Sequence, residues 1–141
     1  MNLSFNELQG YVPDFSSQLQ LSLLDLTSNR FQGALPHFST NTRVLFLSDN
    51  LISGPISNLC GILSINNSLS YLDLSSNYLS GDIPDCWKYG HNLIALNLAE
   101  NNLLGQIPNS MGQLIQYSVG GIFLTHCDWN TIFCRGKCLY R

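Results

Sequence analysis

Cysteine, histidine and carboxylate side chains give this 141-residue chain its few openings for chemistry. Cys127, Cys134 and Cys138 fall near the C-terminus, beside His126 and Trp129. Such a group invites a zinc reading, yet Cys-x6-Cys-x3-Cys lacks the tight paired spacing of structural zinc sites. Asp25 and Asp73 could do acid–base work only if the fold brought both to one cleft. His37, His91 and His126 are each isolated in sequence. The chain contains no Gly-x-Ser-x-Gly, no His-Glu-x-x-His, no phosphate loop and no kinase signature. It reads as a non-enzyme, with no catalytic residues, no cofactor and no metal.

The elements that must position any site come from one phrase, Leu-x-Leu-x-x-Asn-x-Leu-x-Gly-x-Ile-Pro. It is complete at residues 72–84 and 96–108, and at 24–36 with Phe31 and Leu35 as apolar variants. A fourth copy at 45–57 carries Ser57 in place of proline, and the chain opens on a fifth at 3–13. The asparagines stand at 6, 29, 50, 77 and 101, so the steps are 23, 21, 27 and 24 residues. That is the period of a leucine-rich repeat, one solenoid coil per copy.

In each Leu-x-Leu both leucines face one side of a short strand, because side chains alternate with period two. Strands of successive coils stack in parallel and bury a core that no coil could form alone. The asparagine carries both donor and acceptor, so Asn29, Asn50, Asn77 and Asn101 are expected to form a buried ladder. Gly10, Gly33, Gly54, Gly81 and Gly105 suit tight positions where a Cβ is unwelcome. The prolines fall on the outer face, where a missing N–H matters less. The expectation is an α/β-type solenoid of about five right-handed coils over residues 1–116, with one strand per coil. A non-repeat tail follows at 117–141, stacking at most loosely on the last coil, with room for a strand around 121–125.

This geometry makes the concave strand face the functional surface. Its middle column reads Asn2, Asp25, Phe46, Asp73, Asn97, and the column before it Leu23, Val44, Tyr71, Ala95. Phe46 and Tyr71 are the anchor candidates, since exposed aromatics concentrate binding energy. Asp25, Asp73 and Asn97 complete the expected partner-binding set. Idiosyncratic surface residues on a stretch that merely spaces the array are the plainer alternative. Asp25 and Asp73 lie two coils apart, about 10 Å by strand spacing, with no cleft implied.

Cys60 and Cys86 stand at near-equivalent places on adjacent coils, close enough for a disulfide in an oxidising compartment. Two separate buried thiols are the alternative. Trp87 is read as outer-face packing. Two glycosylation sequons are present, Asn66-Asn67-Ser68 in the longest repeat and Asn2-Leu3-Ser4 at the start.

Only 11% of residues are charged and the net charge is −3. With no basic run, nucleic acid and anionic membrane surfaces are poor partners. No apolar run approaches the roughly 20 residues a membrane helix needs, and no secretory leader opens the chain.

The Gly-x-Ile-Pro ending resembles the plant-specific class of leucine-rich repeat. Ser57-Asn58-Leu59-Cys60, Ile83-Pro84-Asp85-Cys86-Trp87 and Leu96-Asn97-Leu98-Ala99-Glu100-Asn101-Asn102 are similar to the last ectodomain repeats of plant receptor-like proteins. The resemblance covers residues 1–116 and implies an internal piece of a receptor from the extracellular face of the plasma membrane. It implies a protein or peptide ligand, or a co-receptor, recognised in defence or development signalling. A secreted repeat inhibitor of a microbial wall-degrading enzyme is the second reading, disfavoured by a concave face that is neutral to acidic. A truncated product without independent function is the third.

Overall fold

The computed structural model describes residues 1–112, Leu114, and the backbone of 121–124 and 137–139. The zinc-like grouping of His126, Cys127, Trp129 and Cys134 lies outside the described residues, and Cys138 is described by its backbone alone.

Each Leu-x-Leu forms a three-residue strand: β2 (Leu23–Asp25), β4 (Val44–Phe46), β6 (Tyr71–Asp73) and β8 (Ala95–Asn97). They pair in parallel and in register, so that Leu24, Leu45, Leu72 and Leu96 form one row. These four, with Leu26, Leu47, Leu74 and Leu98 behind them, are at most 1% exposed. To this sheet the opening copy contributes only an isolated bridge, Asn2 to Asp25.

A second parallel sheet, which the phrase did not announce, runs along the side of the coils. It consists of β1 (Gln9–Tyr11), β3 (Arg30–Gly33), β5 (Leu51–Gly54), β7 (Tyr78–Asp82) and β9 (Asn102–Leu104). The Asn-x-Leu-x-Gly stretch is therefore also extended. Among the described residues the α content is slight: α1 (Leu59–Ile62), helical backbone at Met111, Gly112 and Leu114, and a 3₁₀ turn at Trp87–Tyr89.

The asparagines knit coil to coil. Asn77 donates through Nδ2 to Leu74 O at 3.2 Å in its own coil and to Leu47 O at 2.9 Å in the preceding one. Its Oδ1 accepts from the Ile52 N–H of that preceding coil at 3.0 Å. Asn29, Asn50 and Asn101 repeat the pattern, and all four are buried. The Asn6 side chain bonds only within its own coil, to Leu3 O and Ser4 O.

The glycines owe their place to backbone angle more than to space. All five take φ between 77° and 103°, a region that other residues enter at a cost. A Cβ would collide with Tyr11 at Gly33 and with Asp82 at Gly105, but would meet nothing at Gly10, Gly54 or Gly81.

Beneath the convex side, Cys60 and Cys86 form a disulfide with a Cα separation of 5.5 Å. Trp87 packs there, fully buried, and its backbone N–H donates to Ser110 Oγ at 3.2 Å. The Ser110 hydroxyl and N–H both bond Asp85 and hold its carboxyl below the usual carboxylate range. That contact favours the fold above the ordinary aspartate pKa and fades as acid protonates it. His37, isolated in sequence, meets Asp14 at the surface, Nδ1 to Oδ2 at 3.6 Å.

The last coil is covered, and by a strand where the tail left room for one, around 121–125. β10 (Gly121–Leu124) pairs in parallel with β8, and β11 (Lys137–Leu139) pairs antiparallel with β10. Backbone pairing needs a β-prone apolar run, which Ile122-Phe123-Leu124 supplies, rather than the Leu-x-Leu phrase. The opening coil remains thinly covered: Leu3 and Leu8, whose counterparts are buried in every later coil, are 39% and 38% exposed.

Asn77→Ala should lower the unfolding free energy by about 2–3 kcal/mol, since it strips buried backbone groups of their partner. Asn6→Ala should cost less than about 1 kcal/mol, as an exposed position does. Urea titration of both variants checks this, and equal losses would refute coupling between coils. The crosslink spans 26 residues. Replacing both cysteines by serine should remove about 3 kcal/mol by the chain-entropy estimate. A double variant as stable as the parent in the same titration would show that the bridge carries no such weight.

Candidate functional site

The exposed side of β2, β4, β6 and β8 forms a grid, because in-register pairing puts like positions of neighbouring coils side by side. The middle column aligns Asp25, Phe46, Asp73 and Asn97, with the bridged Asn2 at its head. The column before it aligns Leu23, Val44, Tyr71 and Ala95. Tyr71 is exposed, whereas Phe46 is half-buried between its neighbours. All five expected partner-binding residues thus share one surface. Asp25 and Asp73 are separated by the Phe46 strand, which makes them flanks of a face rather than a reacting pair.

Two features of this face escaped the sequence reading. First, the residue before each repeat asparagine is left-handed: Phe5, Ser28, Asp49, Ser76 and Glu100 have φ between 52° and 56°. This kink turns the chain off the strand and aims the asparagine inward. Its sequence signal is faint, because only aspartate tolerates the angle with any ease.

Second, the middle column has a local duty. Asp25 Oδ1 accepts from the Thr27 N–H at 3.0 Å, Asp73 Oδ1 from Ser75 at 2.9 Å, and Asn97 Oδ1 from Ala99 at 3.1 Å. Asn2 does the same for Ser4 at 2.9 Å. Each closes an Asx turn at the strand exit. The run of Asn and Asp in one repeat column was the available signal.

The Leucine Rich Repeat family model matches residues 68–89 and 92–114. Receptor-like protein EIX2 of Solanum lycopersicum is 41% identical over 98 residues, covering 69% of this chain and 9% of that protein. Receptor-like protein 35 of Arabidopsis thaliana is 40% identical over 120 residues, covering 77% of this chain and 12% of that protein. The chain is a leucine-rich repeat array of the kind that plant receptor-like proteins carry.

Among solved structures, the Arabidopsis receptor kinase HAESA ectodomain, in complex with an N-terminally extended IDA peptide hormone ligand, superposes with a TM-score of 0.73. It is 33% identical, over 87% of this chain and 20% of that one. A HAESA complex with IDA and the co-receptor SERK1 gives a TM-score of 0.62 at 33% identity, over 89% of this chain and 25% of that one. The receptor-like array here thus spans about a tenth of its receptor-like relatives. Among the described residues, no helix is long and apolar enough to cross a membrane.

The sequons of the receptor-like array separate on inspection. Asn66 is exposed in the loop between α1 and β6. Its neighbour Asn67 is buried, and Nδ2 donates to Ser64 O at 2.6 Å and to Tyr89 O of the next coil at 2.8 Å. Asn2 is exposed, with its Oδ1 engaged by the Ser4 N–H and hydroxyl. Secreted from plant cells, the chain should carry a glycan at Asn66, read as a mass increment lost in Asn66→Gln. Asn67→Ala should instead destabilise the fold. A mass unaffected by Asn66→Gln would remove that site.

Proposed function

We propose that the array is a recognition module of a plant cell-surface receptor-like protein, binding a protein or peptide partner on its concave sheet face. The partner is a ligand or a co-receptor, and the chain performs no catalysis. The observation that carries this reading is the continuous in-register face of β2, β4, β6 and β8, with Tyr71 exposed upon it. Extended concave surfaces of this kind are what solenoids use for binding. HAESA, built on the same repeat, is a receptor kinase seen with a peptide hormone and with a co-receptor. The Cys60–Cys86 bridge supports an oxidising, extracellular setting.

A photo-crosslinking residue at position 97, on the concave face, should trap a protein or peptide on living plant cells. The same residue at position 106, which is exposed outside the concave strands, should trap far less. Equal trapping at both positions, or none at 97, would overturn the reading.

A further inference from the structure

One coil departs from the rule of the concave column. Where Asn2, Asp25, Asp73 and Asn97 each close a turn onto the N–H two residues on, the third coil has Phe46. A phenyl ring offers no such acceptor. Among the described residues nothing accepts from the Ser48 N–H, although Leu47 and Asp49 on either side donate to Asp73 O and Ser75 O. The Ser48 hydroxyl is turned to Thr27 Oγ1 at 3.3 Å and does not serve its own amide. Ser48 is half-buried on the exposed side of the face. A backbone donor is therefore available at the centre of the array.

The surroundings specify what could approach. Asp25 and Asp73 flank Phe46 in register, one coil away on each side, about 10 Å apart by strand spacing. Each uses Oδ1 for its own turn, and no cation among the described residues pairs with either, the ion pairs being Arg30–Glu7 and His37–Asp14. Asp49 adds a third carboxylate beside Ser48, holding the Ser28 hydroxyl at 2.8 Å. The preceding column of the same face holds Leu23, Val44 and Tyr71. An anionic group meets repulsion here. A guanidinium is attracted to a ring face, and its planar fork donates towards carboxylates on both sides.

We propose that the Phe46 notch binds an arginine side chain of an extended peptide, with a main-chain carbonyl of that peptide accepting from the Ser48 N–H. The guanidinium sits at Phe46 between Asp25 and Asp73, and the aliphatic stem runs towards Val44 and Tyr71. This rests on the concave-face reading and assigns its central contact. Phe46 is then a specificity residue, held at the expense of a turn that the other coils close.

The test uses the whole chain, isotope-labelled for amide NMR, titrated with an acetylated and amidated Gly-Gly-Arg-Gly-Gly peptide. A probe so small should bind in the millimolar range, of order 1–10 mM. The Ser48 amide proton should move downfield with saturation, and the glutamate peptide Gly-Gly-Glu-Gly-Gly should leave it unmoved. Phe46→Asn restores the turn. It should keep or raise the melting temperature, slow exchange of the Ser48 amide, and weaken the arginine peptide at least about tenfold. Phe46→Leu keeps the free amide but removes the ring, and should weaken binding by a smaller factor.

Equal shifts with the glutamate peptide, unchanged affinity in Phe46→Asn, or no Ser48 shift at the highest concentration would each overturn the proposal. So would a clear loss of stability in Phe46→Asn, which would make Phe46 a packing residue. Crosslinks retained at position 97 would, in those cases, leave the concave-face reading standing.

Discussion

Everything in this solenoid depends on one amide used by two coils at once. Asn50 donates to Leu47 O in its own coil and Leu26 O in the one before, and accepts from the Phe31 N–H. A single side chain thus ends its strand, turns the chain, and fixes the register against the neighbour. Because the amide is buried, a coil displaced by one residue would leave these groups unpaired, and an unpaired buried group costs about 1–3 kcal/mol. Registration of the concave face follows from the ladder behind it. The surface columns are straight because the asparagines are.

The leucines supply the larger favourable term, but they do not choose the arrangement. Leu24, Leu45, Leu72 and Leu96 would be buried equally well in several packings of short strands. Directional amides and positive-φ glycines exclude those alternatives. The disulfide adds a covalent tie between the third and fourth coils, spanning the 27-residue step that departs most from the mean period. Asn67, buried under that longer coil and bonded to Tyr89 O, performs there a second, local version of the ladder's work. Irregular coils need extra fastening, and this one has two.

The concave sheet, its core and its surface columns were legible from the repeat, because alternation and a fixed period leave no freedom in where Leu24 or Asn97 must point. The Cys60–Cys86 pairing was legible for the same reason. The second sheet was not, since Arg30-Phe31-Gln32-Gly33 and Leu51-Ile52-Ser53-Gly54 share little beyond one apolar residue and glycine, and their pairing is backbone to backbone. Trp87 was legible as packing, but its complete burial was not, because its neighbours Asp85 and Lys88 are polar while the 3₁₀ turn buries the indole. The strand over the last coil was legible only as room for one around 121–125, because without the repeat phrase nothing fixed its register. Of the candidate site, position was readable but duty was not: that Asp25 and Asp73 first serve their own turns appears only once Thr27 and Ser75 are placed.

That duty changes how the face should be read. A carboxylate in the middle column is first a structural residue, so its presence says little about a ligand. A residue there that cannot close the turn is informative, because the coil gives up a hydrogen bond to hold it. Natural sequences tend to break their own local rules where function requires it, and a repeat makes such breaks visible without any relative for comparison. Phe46 is the break in this column: four coils close the turn, and the third leaves the Ser48 N–H open. The regular coils therefore act as the reference against which one departure acquires meaning. The rigidity of the ladder holds that donor in place for whatever the face receives.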